Sequence, residues 1–504
     1  MKREEYKQFD GIGLQELIHK AAVKPEEVLA ASIDQLKQVN PDLNAVARER
    51  FARAEAEQQI SFNPNISQSF NGIPTVLKDL GQTIKGEENI AGTNLLKGKA
   101  ASATSHLVRR MQQAGLTPIA YSTTPELGLK NITEAKAYGP TRNPWNLNHS
   151  PGGSSGGSAA LVSSGVVPIA GASDGGGSIR IPASFSGLFG LKPTRGRTPV
   201  GPGAGRQWQG AAIDYVLTKS VRDNARMLDH LQTIQEEAAF QTPLFETGYE
   251  KSIQASEKSL FTIGFSVESP VGTPVSAEAK EAVYKTVRFL EEQGHRVEEA
   301  APDINGKQLM RHYYMMNCGE MGALLTDIEK MKGRSLQKEE LETESWMFYT
   351  AGKKVNAALF SKSLQAWDDA AAAMAAYHET YDFYLTPASA FSAPEIGELT
   401  HSEGEAAYYK TKIEELEGNQ QQELIYEMFL PSLTYTPFSQ VANLTGQPAM
   451  SVPVHLTKNH LPIGAQMIAG KGKEHLLLQL AKQLESSDIW QGLKANPYFS
   501  SFSS

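Results

Sequence analysis

Residues 151–199, PGGSSGGSAALVSSGVVPIAGASDGGGSIRIPASFSGLFGLKPTRGRTP, constrain the fold more than any other part of this chain. Two small polar clusters, 152–158 and 174–178, flank a mostly apolar spacer from Ala159 to Ala172. Runs rich in Gly and Ser commonly act as linkers, but a linker stays polar and repetitive. Here each cluster leads straight into residues that favour burial. Ala159, Ala160, Leu161 and Val162 follow the first, and Ile179 and Ile181 follow the second. Glycine between buried elements serves positive φ or close backbone approach. The two clusters are therefore expected to meet in space, with Ser178 as a nucleophile and Ser154 as its proton relay.

The rest of the chain bounds this reading. The 504 residues are 40% hydrophobic and 21% charged, enough for a large packed core. A net charge of −8 argues against a nucleic-acid partner, since a phosphate backbone calls for a basic face. No apolar run reaches about 18 residues, so no membrane span is expected. The N-terminal MKREEYKQFDGIG lacks the apolar core of a secretory signal. A single cysteine, Cys318, allows no internal disulfide and suits a reducing cytoplasm.

Periodicity places the elements. Residues 13–58 read as helical, with Pro25 at a helix start and Val28, Leu29, Ile33 and Leu36 on one apolar face. GIPTVLKDL, 72–80, reads as a strand with Lys78 at its end. A helix from Thr104 or Ser105 to Met111, stopped at Gly115, leads into a strand from Leu116 to Tyr121. This alternation predicts a sheet covered by helices. Residues 129–150 read as an irregular loop able to line a pocket. Ser220 opens a helix with Asp223 in a capping-box position. Strands are expected at 260–265, 381–397, 451–454 and 463–470, and helices at 276–293 and 474–484. Residues 300–380 are rich in helix, either capping the pocket or forming a plain outer layer.

The clusters permit acyl transfer, which needs a nucleophile, a base and an oxyanion hole. Three successive glycines, Gly175, Gly176 and Gly177, let backbone N–H groups converge beside Ser178. One such donor is typically worth about 3–4 kcal/mol of barrier. The base is open between two chemistries. A Ser–His–Asp triad could draw on distant residues, with His149 just outside the first cluster. Alternatively Lys78, rarely buried without reason, could be neutralised by its apolar strand and act through Ser154 or directly. Lys78 pairing with Asp79 at a strand end is the structural alternative. Gly152-x-Ser154-x-Gly156 fits a nucleophile elbow but lacks the strand that should precede it. Ser335-x-x-Lys338 fits S-x-x-K but lies in a charged stretch without that motif's companions. Arg180 and Asp174 read as an ion pair bracing the glycine loop. No P-loop, G-x-G-x-x-G or H-E-x-x-H is present, and neither a cofactor nor a metal is expected.

GGSSGGSAALVSSG followed by ASDGGGSIRIPASFSGLFGLKPTRGR resembles the amidase signature family, and GIPTVLKD resembles its lysine segment. The resemblance covers 70–200 most specifically, the region of the signature catalytic core. It implies an α/β fold: one large domain, 1–504, with a mixed central β-sheet covered by helices on both faces. It implies a Ser–cis-Ser–Lys triad of Ser178, Ser154 and Lys78, with a cis peptide before Ser154 and oxyanion donors from Gly175, Gly176, Gly177 and Ser178. Gly175 departs from the pattern, because many members carry a larger residue there. AYGPTRNPWNL, the RGR after LKPT and the cysteine at 318 are most similar to the 6-aminohexanoate-cyclic-dimer hydrolase subgroup. Cys318 would then line the acyl pocket and bind substrate; a buried structural cysteine is the alternative. The expected activity is hydrolysis of a small linear or cyclic amide through a Ser178 acyl-enzyme, by a cytoplasmic protein that forms a homodimer. The glutaminase subunit of a tRNA-dependent amidotransferase, an aryl-amide, carbamate or ester hydrolase, and a binding protein with a dead site share the signature and remain open.

Overall fold

The segment Ile73–Lys78 is buried at all six positions, which requires cover on both faces of the sheet it belongs to. Its run of Ile, Val and Leu suits a central strand. A computed structural model of the chain describes residues 1–61, 69–254 and 259–500. In it an 11-stranded sheet runs through the molecule. The strands are β1 (Val46–Glu49), β2 (Ile73–Lys78), β3 (Leu116–Ser122), β4 (Ile169–Asp174), β5 (Phe189–Lys192), β6 (Ile213–Thr218), β7 (Thr262–Phe265), β8 (Arg296–Glu299), β9 (Phe383–Pro387), β10 (Ala449–Leu456) and β11 (Pro462–Ala469). Their spatial order is β1-β3-β2-β4-β6-β5-β10-β11-β9-β7-β8.

The sheet is mixed, as expected. β2 runs parallel to β3 and β4, whereas β4 and β6 are antiparallel. β9, β7 and β8 form a second parallel group joined through antiparallel β10 and β11. Helices cover both faces, and the molecule is one domain.

The register decides where chemistry can occur. Val76 of β2 lies opposite Ala170 of β4, so Lys78 and the Ser173–Asp174 step finish at the same sheet end. Antiparallel β6 begins there, with Asp214 opposite Ser173. The two polar clusters both start helices at that end, Gly156–Ser163 and Arg180–Ser186. A crevice outside the carboxyl ends of parallel strands is where open α/β sheets hold ligands.

Several boundaries differ from those expected. Residues 13–58 contain β1 between two helices, because Val46–Glu49 pairs with the edge of β3. Helices Glu403–Glu415 and Gly418–Tyr435 were not anticipated, since their charged and Gln-rich stretches lack a clear apolar stripe. The Ser220 side chain does cap its helix, but the Asp223 carboxylate turns away to the N–H groups of Gly11 and Ile12. No helix among the described residues is long and apolar enough to cross a membrane.

Candidate active site

Lys78 is wholly buried at the end of β2. Its Nζ donates to Ser154 Oγ at 2.7 Å and to Ser173 Oγ at 2.8 Å. It forms no ion pair with Asp79. That carboxylate faces the other way, accepting from Tyr138 Oη and lying 3.7 Å from Arg48. Burial pushes the Lys78 ammonium down to about 7, against the opposing pull of the Asp214 and Asp174 carboxylates. A lysine that loses its proton near neutrality can serve as a base.

The strand ends are pinned around it. The Lys78 backbone N–H donates to Gln82 Oε1 at 2.9 Å, and Gln82 Nε2 donates to the Ala172 carbonyl at 3.0 Å. Ser155 joins the two clusters. Its N–H donates to the Ser178 carbonyl at 3.3 Å and its hydroxyl to the Ser173 carbonyl at 3.1 Å. Thr124 Oγ1 holds the Ser154 carbonyl at 2.9 Å. Gly153 has no room for a side chain, because a Cβ there would sit 2.6 Å from the Ile132 carbonyl oxygen. The Gly153–Ser154 peptide is cis.

The glycine loop is braced on its outer side. Arg180 Nε and Nη2 each donate to Asp174 at 2.9 Å, and Arg180 also reaches the Ser439 carbonyl, Gln466 and Asn443. The guanidinium holds the Asp174 carboxyl far below the usual carboxylate range despite full burial. Tyr313 Oη donates to the Gly175 carbonyl at 3.1 Å and Ser439 Oγ to the Gly176 carbonyl at 2.6 Å. With the carbonyls drawn outward, the N–H groups of Gly175, Gly176 and Ser178 keep no partner among the described residues. Gly177 departs from the expected donor set: its N–H donates to Asp174 Oδ1 at 2.7 Å and is spent inside the loop.

Ser154, Ser173, Ser178, Gly175 and Gly176 border one cavity of about 440 Å³. Its walls are mostly apolar: Leu127, Met310, Tyr314, Met321, Phe348, Phe429 and Leu433. Leu127 comes from the short turn Glu126–Gly128, and the others from the helices Gly306–Lys332, Thr343–Gly352 and Gly418–Tyr435. Asp214, Gln207 and Glu320 add polar groups to the lining, and the Trp208 ring stands beside them. Among the described residues no group of three or more His, Cys, Asp and Glu side chains is arranged to hold a metal ion.

Cys318 does not line this cavity. It is fully buried in a second core cluster with Tyr314, Met321 and Phe348, and Gln422 Nε2 approaches its sulfur at 3.5 Å. The reason is helix phase. Asn317 and Met321 border the cavity, while the Cys318 sulfur meets Gln422 of the Gly418–Tyr435 helix inside the helical core. His149 and Ser335 also lie away from the cavity: His149 pairs with Glu395 in an isolated bridge, and Ser335 is exposed. No strand leads into the Ser154 turn, so the nucleophile-elbow match has no elbow.

Sequence reasoning missed Ser173, Asp214, Tyr313 and Trp208. Asp214 left a signal, being an acid inside the apolar run AAIDYVL. Tyr313 and Trp208 left none, since aromatic residues among charges are common in any helical layer.

The family model described as Amidase matches residues 27–478. A lipoamidase of Enterococcus faecalis is 38% identical over 489 residues; the match covers 96% of this chain and 64% of that protein's length. A 6-aminohexanoate-cyclic-dimer hydrolase of Paenarthrobacter ureafaciens is 33% identical over 490 residues, 95% of each chain. The structure of a 6-aminohexanoate cyclic dimer hydrolase complexed with substrate superimposes with a TM-score of 0.85 at 29% identity, covering 98% of this chain and 99% of that one. With a family model spanning most of the sequence and the cyclic-dimer hydrolase matched over 95% of each chain, the chain belongs to the amidase signature family, hydrolases acting on amide bonds.

Proposed function

We propose that the chain hydrolyses the carbon–nitrogen bond of a small linear or cyclic amide, with Ser178 as nucleophile, Ser154 as relay and Lys78 as base. The observation that carries this reading is the 2.7 Å contact between Lys78 Nζ and Ser154 Oγ, inside the cavity that Ser178 also borders. Ser178 Oγ attacks the carbonyl carbon while its proton passes to Ser154 and the Ser154 proton passes to Lys78. The N–H groups of Gly175, Gly176 and Ser178 are the available donors to the oxyanion. As the carbon–nitrogen bond breaks, Ser154 protonates the leaving amine and Lys78 returns a proton to Ser154. Water then attacks the ester, releasing the acid and restoring Ser178.

The cavity walls favour an unbranched apolar acyl group, laid along Leu127, Met310, Tyr314 and Phe348. The helix-rich segment 300–380 supplies much of that wall and acts as its cap. Such an acyl group fits the names of the lipoamidase and cyclic-dimer hydrolase relatives, and it speaks against free glutamine as substrate. A single buried cysteine is in keeping with work in the cytoplasm.

The test is a panel of lipoyl, hexanoyl and acetyl amides, cyclic amides and glutamine, assayed beside fluorophosphonate labelling. Turnover of medium-chain acyl amides with label on Ser178 is expected. Full turnover by Ser178→Ala would end the proposal.

A further inference from the structure

Asp214 opens β6 directly opposite Ser173, the residue whose hydroxyl receives a hydrogen bond from Lys78. Both Ser173 and Asp214 border the cavity. Asp214 is only 7% exposed. Gln207 Nε2 donates to its Oδ2 at 3.0 Å, and no cation forms an ion pair with it among the described residues.

The other charges around Lys78 are already committed. Asp174 on β4 is held by two Arg180 bonds. Asp79 faces Tyr138 and Arg48. Lys192 on β5 is fully buried, donates to the Pro193 carbonyl and is pushed well below its usual range by burial. Glu320, on the helix across the cavity, is engaged by Gln209 at 2.8 Å, and Tyr313 on that helix donates to Gly175. The Asp214 carboxylate is therefore the one whose field falls on Lys78 without a guanidinium beside it.

We propose that Asp214 is a positioning residue of the proton wire, whose carboxylate stabilises the ammonium that Lys78 becomes as Ser178 attacks. The proposal rests on the reading of Lys78 as base. In the acylation step the Ser178 proton moves to Ser154 and the Ser154 proton to Lys78, so one positive charge appears on Nζ in a buried site. Asp214 takes no proton; it stays ionised and lowers the energy of that charge. This is the role a buried carboxylate plays behind a histidine base, transferred to lysine. Burial raises the Asp214 carboxyl to about 6, so it is an anion over the range in which Lys78 is neutral.

The experiment is the pH profile of kcat/KM and kcat on a medium-chain acyl anilide, for the full-length wild type, Asp214→Asn and Asp214→Glu. Removing the negative charge makes Lys78 easier to deprotonate, so the acid limb of Asp214→Asn moves to lower pH by about half a unit or more. The plateau kcat falls about tenfold or more because the ammonium has lost its counter-charge. KM changes far less, and Asp214→Glu restores the wild-type limb. An unmoved limb in folded Asp214→Asn overturns the proposal, whether or not activity drops, because a merely structural role would not shift the titration. If Asp214→Asn does not fold, Gln207→Leu provides the second reading. Loss of the amide donor raises the Asp214 carboxyl, so the counter-charge is in place only at higher pH; the acid limb must move upward, and a fixed limb overturns the proposal equally. Full turnover by Lys78→Ala would instead remove the base assignment, and this proposal with it.

Discussion

The indole of Trp208 occupies the space that a side chain at position 175 would need. A Cβ built on Gly175 would lie 3.0 Å from both Cε3 and Cζ3 of that ring. Tyr313 completes the contact, standing edge-on to Trp208 at 6.4 Å and donating to the Gly175 carbonyl. A missing side chain in the glycine loop thus admits an aromatic wall to the cavity that Ser178 borders. Gly175→Ala should push the indole or the loop aside by a few tenths of an ångström. We expect kcat/KM to fall about tenfold, the scale of a weakened oxyanion donor. Trp208→Ala in that background should recover part of the loss. Steady-state kinetics on the two variants check this, and an additive further loss in the double variant would contradict it.

Lys78 sets activity and stability against each other. A lysine in the unfolded chain titrates near 10.5, whereas burial holds Lys78 near 7 in the fold. Folding between those values must release a proton, so this residue's contribution becomes more favourable as pH rises from about 7 to 10.5. Below about 7 the fold carries a buried ammonium at full cost. Lys78→Met removes that burden, and thermal melts at pH 7 should show a higher Tm, with the gain shrinking toward pH 10. Activity should drop by about a thousandfold or more at every pH, the usual scale for losing one member of a catalytic unit. In the wild type, kcat/KM should rise with pH through about 7.

The polar clusters were legible in the sequence because their glycines and serines had no reason to stand beside Ile179 or Leu161 unless the backbone was packed closely. Lys78 was legible for a similar reason, being a charge at the end of an apolar strand. The other half of the site was not. Tyr313, Met310 and Phe429 reach the cavity from helices more than 100 residues downstream, and helix phase alone decides which side chains face it. Cys318 illustrates the cost: one helical step separates it from Asn317, which borders the cavity, and no periodicity in that mixed stretch distinguishes the two. The spent N–H of Gly177 was equally hidden, since three consecutive glycines look alike until Asp174 selects one.

Arg180 should matter to stability as much as to activity. Its guanidinium joins the glycine loop to Ser439, Asn443 and Gln466, which ties β4 to residues near the other end of the chain. Removing it leaves the buried Asp174 carboxylate without its charge partner. Arg180→Met is expected to cost about 3–5 kcal/mol in chemical denaturation, the range for breaking one side of a buried pair. Arg180→Lys should recover little of this, because a point charge cannot bond both Asp174 oxygens in parallel. The depressed Asp174 carboxyl contributes its stability above the unfolded carboxylate range near 3.8, and that contribution fades only as pH falls below it. In Arg180→Met, burial without the guanidinium raises the Asp174 carboxyl, which takes up a proton as pH falls, so the difference from wild type should be largest at pH 8 and shrink toward pH 5.

Cys318 provides a test that separates burial from catalysis. Its thiol is wholly enclosed, and burial pushes it up to about 12. Reaction with iodoacetamide needs a thiolate and access, and the native fold offers neither. The folded enzyme at pH 8 should resist alkylation for hours, while the unfolded chain should react within minutes. The sulfur also touches none of the groups around Ser178, so Cys318→Ala should keep kcat/KM within about threefold of wild type. Its cost should fall on stability, about 1 kcal/mol or slightly more for a small cavity in the helical core. Rapid native alkylation, or a collapse of kcat in a folded Cys318→Ala, would show that the Gly306–Lys332 helix turns this residue toward the substrate.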